Sequence, residues 1–295
     1  MTIDPIRMEV PMAGPDGSAR RAPHDGPRNG PRIGPPGPAD AAPDWALDGH
    51  TRRHVVVVAD RFARFARGDQ VFTMSGLLTF VTSGGPDVAG CHWVVHPGQG
   101  VDGTDRDLLE AAADKSGGVV CLVDTPAFRP QPVAPEVVHK HRPENVLLAD
   151  VHSPETTFCR ADLRIHRDNE LVLDHHTGEH VQGIVIIEAM RQICIAQFET
   201  AVRPALTSAG YAGVWKRIDL SFEDFLFPLP ATVESRIEES DLVRQHHLKF
   251  RATAAVRQQG RTVATAGIDY AMIRLERIDT LERRKADQAT RAYLG

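Results

Sequence analysis

The chain has 295 residues, a length that permits one large domain or two small ones. Its hydrophobic content of 42% and charged content of 25% are ordinary for a globular protein in water. A net charge of −5 argues against a general nucleic-acid binder, because such proteins are usually basic.

The cysteines and the hydropathy pattern indicate a cytoplasmic protein. The four cysteines stand singly, without the spacing of a CxxC or Cys/His metal motif, so we expect reduced thiols. The N-terminus lacks an apolar signal core, and no run approaches the roughly 20 apolar residues of a membrane span. We therefore predict no membrane and no nucleic-acid partner.

The first 50 residues hold ten of the 21 prolines and many glycines. This composition offers too little apolar surface to offset the entropy lost on ordering. We predict a disordered tail over residues 1–50.

Residues 54–130 are predicted to form a small parallel α/β (βαβαβ) domain. Short β-branched or apolar runs at 55–58, 92–96 and 119–123 alternate with helical patterns at 74–81 and 104–115. Thr73 and Thr104 stand where N-caps would. The turn at 97–100 follows a strand, where α/β sheets often bind ligands; a plain tight turn is the alternative. A proline-rich stretch at 126–135 marks the domain boundary.

The run 184–198 has no proline and is apolar around almost its whole circumference. It predicts a buried helix of about four turns. Three polar residues interrupt it, Glu188, Arg191 and Gln192, and their spacing places them on one face. A buried carboxylate beside a buried guanidinium is costly unless the two are paired or used chemically.

Alternating apolar and polar residues predict strands on both sides of this helix. The runs lie at 157–165, 214–222, 231–239, 247–257 and 261–273, with a tight hairpin at 258–260. One strand, one long helix and four antiparallel strands is the order of a hotdog fold, in which a curved sheet wraps a helix. We predict this α+β domain over residues 134–275, followed by a charged helical tail at 276–295.

Several motifs in this region resemble known families. Residues 183–192, with Glu188-Ala189 at the centre, resemble the central-helix motif of β-hydroxyacyl-carrier-protein dehydratases. Together with the motifs at 138–140, 145–150 and 219–222, they resemble more closely the A-factor biosynthesis (AfsA-type) hotdog family over about 137–275.

That resemblance implies an acyltransferase of secondary metabolism. It would move a β-ketoacyl group from an acyl carrier protein, or acyl-CoA, to a small hydroxyl acceptor such as dihydroxyacetone phosphate, the entry to γ-butyrolactone signals. No metal or cofactor is implied, and phosphopantetheine is only the arm that carries the substrate. The signalling enzymes resemble tandem hotdogs, whereas the N-terminal half here has an α/β pattern. We therefore expect a homodimer with sites at its interface.

The resemblance also implies a site at the N-terminus of the central helix, where Gly183 and Ile184 would offer backbone N–H groups to the thioester carbonyl. Glu188 is the first candidate for the catalytic carboxylate, with Arg191 and Gln192 beside it. The alternative is a structural Glu188–Arg191 ion pair.

His180 is the second catalytic candidate, because it precedes the helix on the predicted mouth of the pocket. The catalytic histidine of the dehydratases falls on Asp174 here, with His175 next to it. A metal cluster of these histidines is not favoured, since an acidic partner at suitable spacing is missing.

Three basic residues outside the helix are candidates for binding a phosphate: Lys140, Arg142 and Lys216. Ordinary solvated charges are the alternative for each. Two other functions stay open from sequence alone: a dehydratase or thioesterase on the same fold, and a non-catalytic acyl-binding or scaffolding module.

Overall fold

Two β-sheets of opposite type organise the part of the chain that the structure describes: a parallel sheet of four strands and an antiparallel sheet of six. The structure is a computed structural model that describes residues 51–83, 91–117, 119–123, 128–172, 178–206 and 210–295. The predicted disordered tail, 1–50, lies outside these residues.

The parallel sheet has the strand order β2-β1-β3-β4 and carries two helices on one face. Its elements are β1 (Thr51–Val58), β2 (Val71–Thr73), α1 (Met74–Thr82), β3 (Cys91–Pro97), α2 (Gly103–Lys115) and β4 (Val120–Leu122). The predicted βαβαβ alternation is confirmed. The strand β2 was missed, because its three residues lead directly into α1 and read as the start of that helix.

The two predicted helix caps had different outcomes. Thr73 does cap α1, accepting a hydrogen bond from the Gly76 N–H. The cap predicted for α2 was wrong: the N-cap is Asp102, and Thr104 lies inside the helix. Asp102 accepts from the backbone N–H of Asp105, and the Asp105 side chain accepts from the backbone N–H of Asp102, which forms a capping box.

The antiparallel sheet has the order β5-β6-β8-β9-β10-β7 and wraps the central helix α3 (Gly183–Gln197). Its strands are β5 (Leu148–Glu155), β6 (Phe158–Leu163), β7 (Tyr211–Phe222), β8 (Thr232–Asp241), β9 (His247–Gln258) and β10 (Arg261–Arg274). The predicted hotdog fold is confirmed. The sequence did not reveal β5, whose pairing with β6 is broken at two places and which contains Asp150 at a positive φ of 49°.

Burial alternates along the sheet as the predicted pattern requires. Inward side chains of β9 such as Leu248, Phe250 and Val256 are buried against α3, while their neighbours face outward. The helix itself is buried along most of its length, although Ile184 in its first turn is half exposed. The turn between β9 and β10 places Gln259 and Gly260 at positive φ, as a tight two-residue hairpin requires.

The C-terminal helix α4 (Leu275–Leu294) is also present as predicted. Ile278 packs on the outer side of the sheet against Ala271 and Ile273, and the rest of the helix is mostly exposed. No helix among the described residues is long and apolar enough to span a bilayer.

The two sheets share contacts within one compact unit, Thr51–Gly295. Val55 and Val57 of β1 pack beneath α1 and α2, whereas Val58, on the other face of β1, belongs to the hotdog core. The parallel sheet therefore uses its second face to close one side of the hotdog.

Gln99, in the turn after β3, links the sheets by side-chain hydrogen bonds. Its amide nitrogen donates to the Leu163 carbonyl at 2.9 Å, and its amide oxygen accepts from the Ile165 N–H at 2.7 Å. The side chain is almost fully buried, so both of its ends are satisfied by hotdog backbone. Gly98 beside it approaches the Pro228 carbonyl so closely that a Cβ there would lie 2.8 Å from the oxygen.

Candidate active site

A cleft of about 500 Å³ lies where α3 begins. It is bounded by the residues just before the helix, the first turn of α3 and the segment after β7. Its lining residues are His180, Val181, Gly183, Ile186, Phe222, Glu223, Asp224, Phe225 and Leu226. The walls are mainly apolar, with one imidazole and two carboxylates, so the cleft suits a chain that is apolar at one end.

The start of α3 leaves backbone donors at this cleft. Gln182 is the N-cap residue and makes no side-chain capping hydrogen bond. The first N–H groups of any helix have no acceptor within the helix, and they carry the positive end of its dipole. This end of α3 can therefore stabilise negative charge on a carbonyl oxygen.

Gly183 is required by the close approach of an aromatic ring. A Cβ at this position would lie 2.9 Å from Cζ of Phe222, closer than carbon atoms can sit without a shift. The Phe222 side chain is half exposed and forms one wall of the cleft. Gly183 therefore lets this ring lie directly over the helix start.

His180 is held in the wall of the cleft by its neighbours on the chain. The Val181 N–H donates to the Leu226 carbonyl at 2.7 Å, which fixes the pre-helix segment against the segment after β7. The imidazole of His180 lies 4.8 Å from the Phe225 ring, measured between centroids. An imidazole in this position can serve as a general acid or base towards a bound substrate.

Glu188 lies at the centre of a hydrogen-bonded network. Its carboxylate accepts from Arg191 at 2.7 and 2.8 Å, from the Gln192 amide at 2.9 Å, and it is 2.8 Å from the Lys140 ammonium. Gln192 also accepts from the Leu147 N–H and donates to the Asn145 carbonyl, each at 2.8 Å. The network thus joins α3 to the segment that leads into β5.

The charges around Glu188 keep it ionised. Burial alone would raise the pKa of this carboxyl, but the hydrogen bonds and charge of Arg191, with Lys140 and Gln192, lower it to about 2. Such a carboxylate is a weak base and does not carry a proton to donate near neutral pH. The ion pair that the sequence left as the alternative is present.

Residues 124–274 match the family model of the A-factor biosynthesis hotdog domain, AfsA, over just over half of the chain. The chain belongs to this family. The match contains α3, the cleft and the Glu188 network, and it leaves the whole parallel sheet outside. No curated protein matches the chain.

Solved structures that resemble the chain align with less than half of it. A conserved protein of Pseudomonas aeruginosa is 14% identical, with a TM-score of 0.32, over 42% of this chain and 87% of that one. A putative thioesterase of Shewanella oneidensis is 11% identical (TM-score 0.34, 43% and 83% covered). A thioesterase superfamily member of Thermus thermophilus is 15% identical (0.34, 46% and 96%). Likeness this low does not bear on the reaction.

The structure places the predicted site residues in two groups. His180 and Gly183 line the cleft, and Ile184 stands beside them in the first helical turn. Glu188 is five residues into α3, roughly 7 Å along the axis and about 140° around it from Gly183. It is absent from the described lining of the cleft, so a catalytic use of Glu188 stays a prediction.

The three basic candidates lie elsewhere. Lys140 is bound to Glu188, and exposed Arg142 forms an ion pair with Glu170 at 2.5 Å. Lys216 is exposed on β7, roughly 20 Å along the strand from Phe222. None of them is among the described residues that line the cleft.

The remaining candidates, Asp174 and His175, lie outside the described residues. Among the residues that are described, no group of three His, Cys, Asp or Glu side chains is placed to hold a metal ion.

The turn at 97–100 borders a second cavity, of about 420 Å³, between the parallel sheet and the hotdog. Arg160, Asp162 and His166 are among its walls. Burial, followed by the charge of Arg164, lowers the pKa of His166. The Gln99 side chain is hydrogen-bonded to hotdog backbone, as the interpretation of 97–100 as a tight turn allows. A ligand site at this turn stays a prediction.

Sequence reasoning missed the wall formed by the segment after β7. Phe225 is 62% exposed, which is unusual for so large an apolar side chain, and Leu226 beside it is buried. The signal was available as three phenylalanines within six residues, Phe222, Phe225 and Phe227, which begin at the last residue of a predicted strand.

Proposed function

We propose that this protein transfers an acyl group from a thioester donor to a small hydroxyl acceptor. In this proposal the donor is a β-ketoacyl group on an acyl carrier protein, or acyl-CoA, and the acceptor is a small hydroxyl compound such as dihydroxyacetone phosphate, as in γ-butyrolactone biosynthesis; membership of the A-factor family supports this choice. One observation carries the proposal: an apolar cleft opens at a helix N-terminus that has no side-chain cap.

The geometry supports a direct acyl transfer. The thioester carbonyl oxygen would accept hydrogen bonds from the N–H groups of Gly183 and Ile184, which stabilise the oxyanion as the acceptor oxygen attacks the carbonyl carbon. The acyl chain would lie along Phe222 and Phe225. As the C–S bond breaks, His180 would pass the proton of the acceptor hydroxyl to the departing thiolate.

In this proposal Glu188 is a positioning residue. Its ionised carboxylate fixes α3 against the segment before β5, which keeps the first turn of the helix in register with the cleft. No metal or organic cofactor takes part, and phosphopantetheine enters only as the arm of the donor.

We further propose that the protein acts as a homodimer. Strand β7 is 12 residues long and forms one end of the described sheet, so a second copy can add to it. Phe222 is the last residue of this strand and also a wall of the cleft, so the partner would lie beside the site. Light scattering that gives a monomer mass at micromolar concentration would contradict this.

The reaction is tested by incubating the protein with a β-ketoacyl carrier protein and dihydroxyacetone phosphate, followed by mass spectrometry. An acylated acceptor is the expected product. His180→Ala should lower kcat by roughly 10²–10⁴-fold, because it removes the proton carrier. His152→Ala, at an exposed histidine on β5, is the matched control and should leave kcat unchanged. An intact acyl carrier in the presence of folded wild-type protein contradicts the transfer.

Hydrolysis is the second candidate, because the exposed Phe225 leaves the cleft open to water. The same experiment separates the reactions: a free acid indicates a thioesterase, and a loss of water from a hydroxyacyl donor indicates a dehydratase. Tight binding of the acyl group without turnover would indicate an acyl-binding module.

A further inference from the structure

A repeated tripeptide lies between β1 and β2, outside the region that matches the family model. The sequence of residues 61–67 is Arg-Phe-Ala-Arg-Phe-Ala-Arg. Irregular helical turns place its two aromatic rings on the hotdog: Phe62 is buried in the hotdog core, and Phe65 stacks on Phe227 at 5.7 Å between centroids. We call these seven residues the arginine segment.

The three arginines of this segment contact two stretches of the chain between β6 and α3. Arg61 donates to the backbone carbonyls of His166, at 3.3 Å, and of Arg167. It is partly buried and serves as an anchor. Arg64 and Arg67 are exposed.

Arg64 and Arg67 lie beside the entrance to the cleft. The Cδ of Arg64 is 3.0 Å from where a Cβ of Gly178 would stand, and the Arg67 guanidinium is 2.6 Å from the Glu179 carboxylate. His180 follows directly, and two residues of chain span at most roughly 7 Å. Both side chains therefore contact the chain within two residues of His180, which lines the cleft.

The charges near the cleft are of both signs. Glu223 and Asp224 line the side formed by the segment after β7, and they would repel an anion. The two arginines contact the chain at 178–179, where Glu179 is the carboxylate paired with Arg67. The Arg67–Glu179 pair is exposed on both partners, so it contributes little and can be replaced by a more highly charged anion.

We propose that Arg64 and Arg67 bind the phosphate of the phosphopantetheine arm whose thioester occupies the cleft. This inference rests on the proposed function. Guanidinium groups bind phosphate through paired, charge-assisted hydrogen bonds, and two of them within reach of one anion can share its charge. The part of the chain outside the family domain thus recognises the donor, in place of Lys140, Arg142 and Lys216.

The test is calorimetric binding of two inert ligands, an S-alkyl phosphopantetheine and the S-alkyl pantetheine that lacks the phosphate. The wild-type protein should bind the phosphorylated ligand at least about tenfold more tightly. Arg64→Ala and Arg67→Ala should each reduce this preference, and the double variant should abolish it. Arg67→Lys should retain part of it, because the charge remains.

Two further variants sharpen the test. Arg129→Ala is the matched control: Arg129 is an exposed arginine with one carboxylate partner, Asp107 at 2.7 Å, and its loss should leave the preference unchanged. Glu179→Gln should strengthen binding of the phosphorylated ligand, because it removes the competing carboxylate.

Equal affinity of the wild-type protein for the two ligands, absence of binding to both, or a preference that survives in the double variant would overturn the inference. Turnover is measured separately with acyl-pantetheine and acyl-phosphopantetheine. Turnover without a phosphate preference would preserve the reaction and reject this site. A preference for the phosphorylated ligand that depends on the arginines, found without any turnover, would support this site and reject the proposed reaction.

Discussion

The two sheets of this protein bury their residues in different ways. The antiparallel sheet has one inner face, which wraps α3, and an outer face on which α4 is the helix that packs among the described residues. The parallel sheet has helices on one face and uses its other face, through Val58, to complete the hotdog core. The parallel sheet therefore depends on the hotdog for its second layer.

The polar contacts between the sheets show what this dependence does for the site. Gln99 binds the backbone at the end of β6, and Arg61 binds the backbone that follows it. Both contacts fall on the stretch of chain that leads to His180 and α3. The parallel sheet therefore supports the cleft from outside the family domain.

The largest effect is expected within the hotdog, at Glu188. Glu188→Gln leaves Arg191 and Lys140 without their carboxylate, and the free energy of unfolding near neutral pH should fall by about 3 kcal/mol. Because the pKa of Glu188 is lowered in the folded protein, this contribution is present above about pH 4.5 and is lost as the pH falls towards 2. Urea unfolding of variant and wild type should therefore converge in acid.

Glu239→Gln is the matched control for this change, since Glu239 is an exposed carboxylate paired with Arg251 at 2.8 Å. Its effect should stay within about 0.5 kcal/mol. A Glu188→Gln variant as stable as this control near neutral pH would contradict the structural role of the network.

The next effect is expected at the contact between the sheets. Gln99→Ala leaves the Ile165 N–H and the Leu163 carbonyl buried without partners, which should lower the free energy of unfolding by about 2 kcal/mol. Unfolding should remain a single transition, because β1 contributes side chains to the cores of both sheets. Gln131→Ala, at an exposed glutamine, is the control. Two separate transitions in the wild-type protein would show that the sheets fold independently.

At Gly183 we expect a smaller change in the free energy of unfolding, together with a loss of acyl turnover. Gly183→Ala places a methyl group against the Phe222 ring and should reduce acyl turnover about tenfold while the fold is retained. Gly267→Ala is the control, because a Cβ there would meet nothing within 4 Å. Unchanged turnover in Gly183→Ala would exclude this cleft as the site of the carbonyl.

The smallest effect is expected in the parallel sheet. His54 and His96 share a hydrogen bond of 2.8 Å, and burial, followed by the charge of His54, lowers the pKa of His96. The folded state therefore resists protonation of His96, so stability is lost as the pH falls below about 6.5. His96→Gln should flatten this part of the profile of stability against pH. An unchanged slope, equal to that of His152→Gln, would contradict it.

The hotdog was readable from sequence because its signals are local. The apolar run of α3 and the alternation in β9 and β10 each predict their own element, and the family motifs fix their order. The strand β5 escaped because its pairing is irregular and Asp150 adopts a positive φ, which no alternation pattern reveals.

The site was only partly predictable, because its walls come from distant parts of the chain. His180 and Gly183 were found since they adjoin α3. The choice between a catalytic and a paired Glu188 depends on Lys140, 48 positions earlier, whose ammonium reaches the carboxylate only in the folded chain. The arginine segment lies still further away and outside any family motif.

Strand β1 contributes to both cores, and this has a practical consequence for work on this family. A fragment cut to the matched region, residues 124–274, would lose Val58, Phe62 and Phe65 from the surface they cover. The exposed apolar area would favour self-association. Poor solubility of such a fragment would then reflect the loss of the N-terminal residues that cover this surface, and not a failure of the hotdog to form.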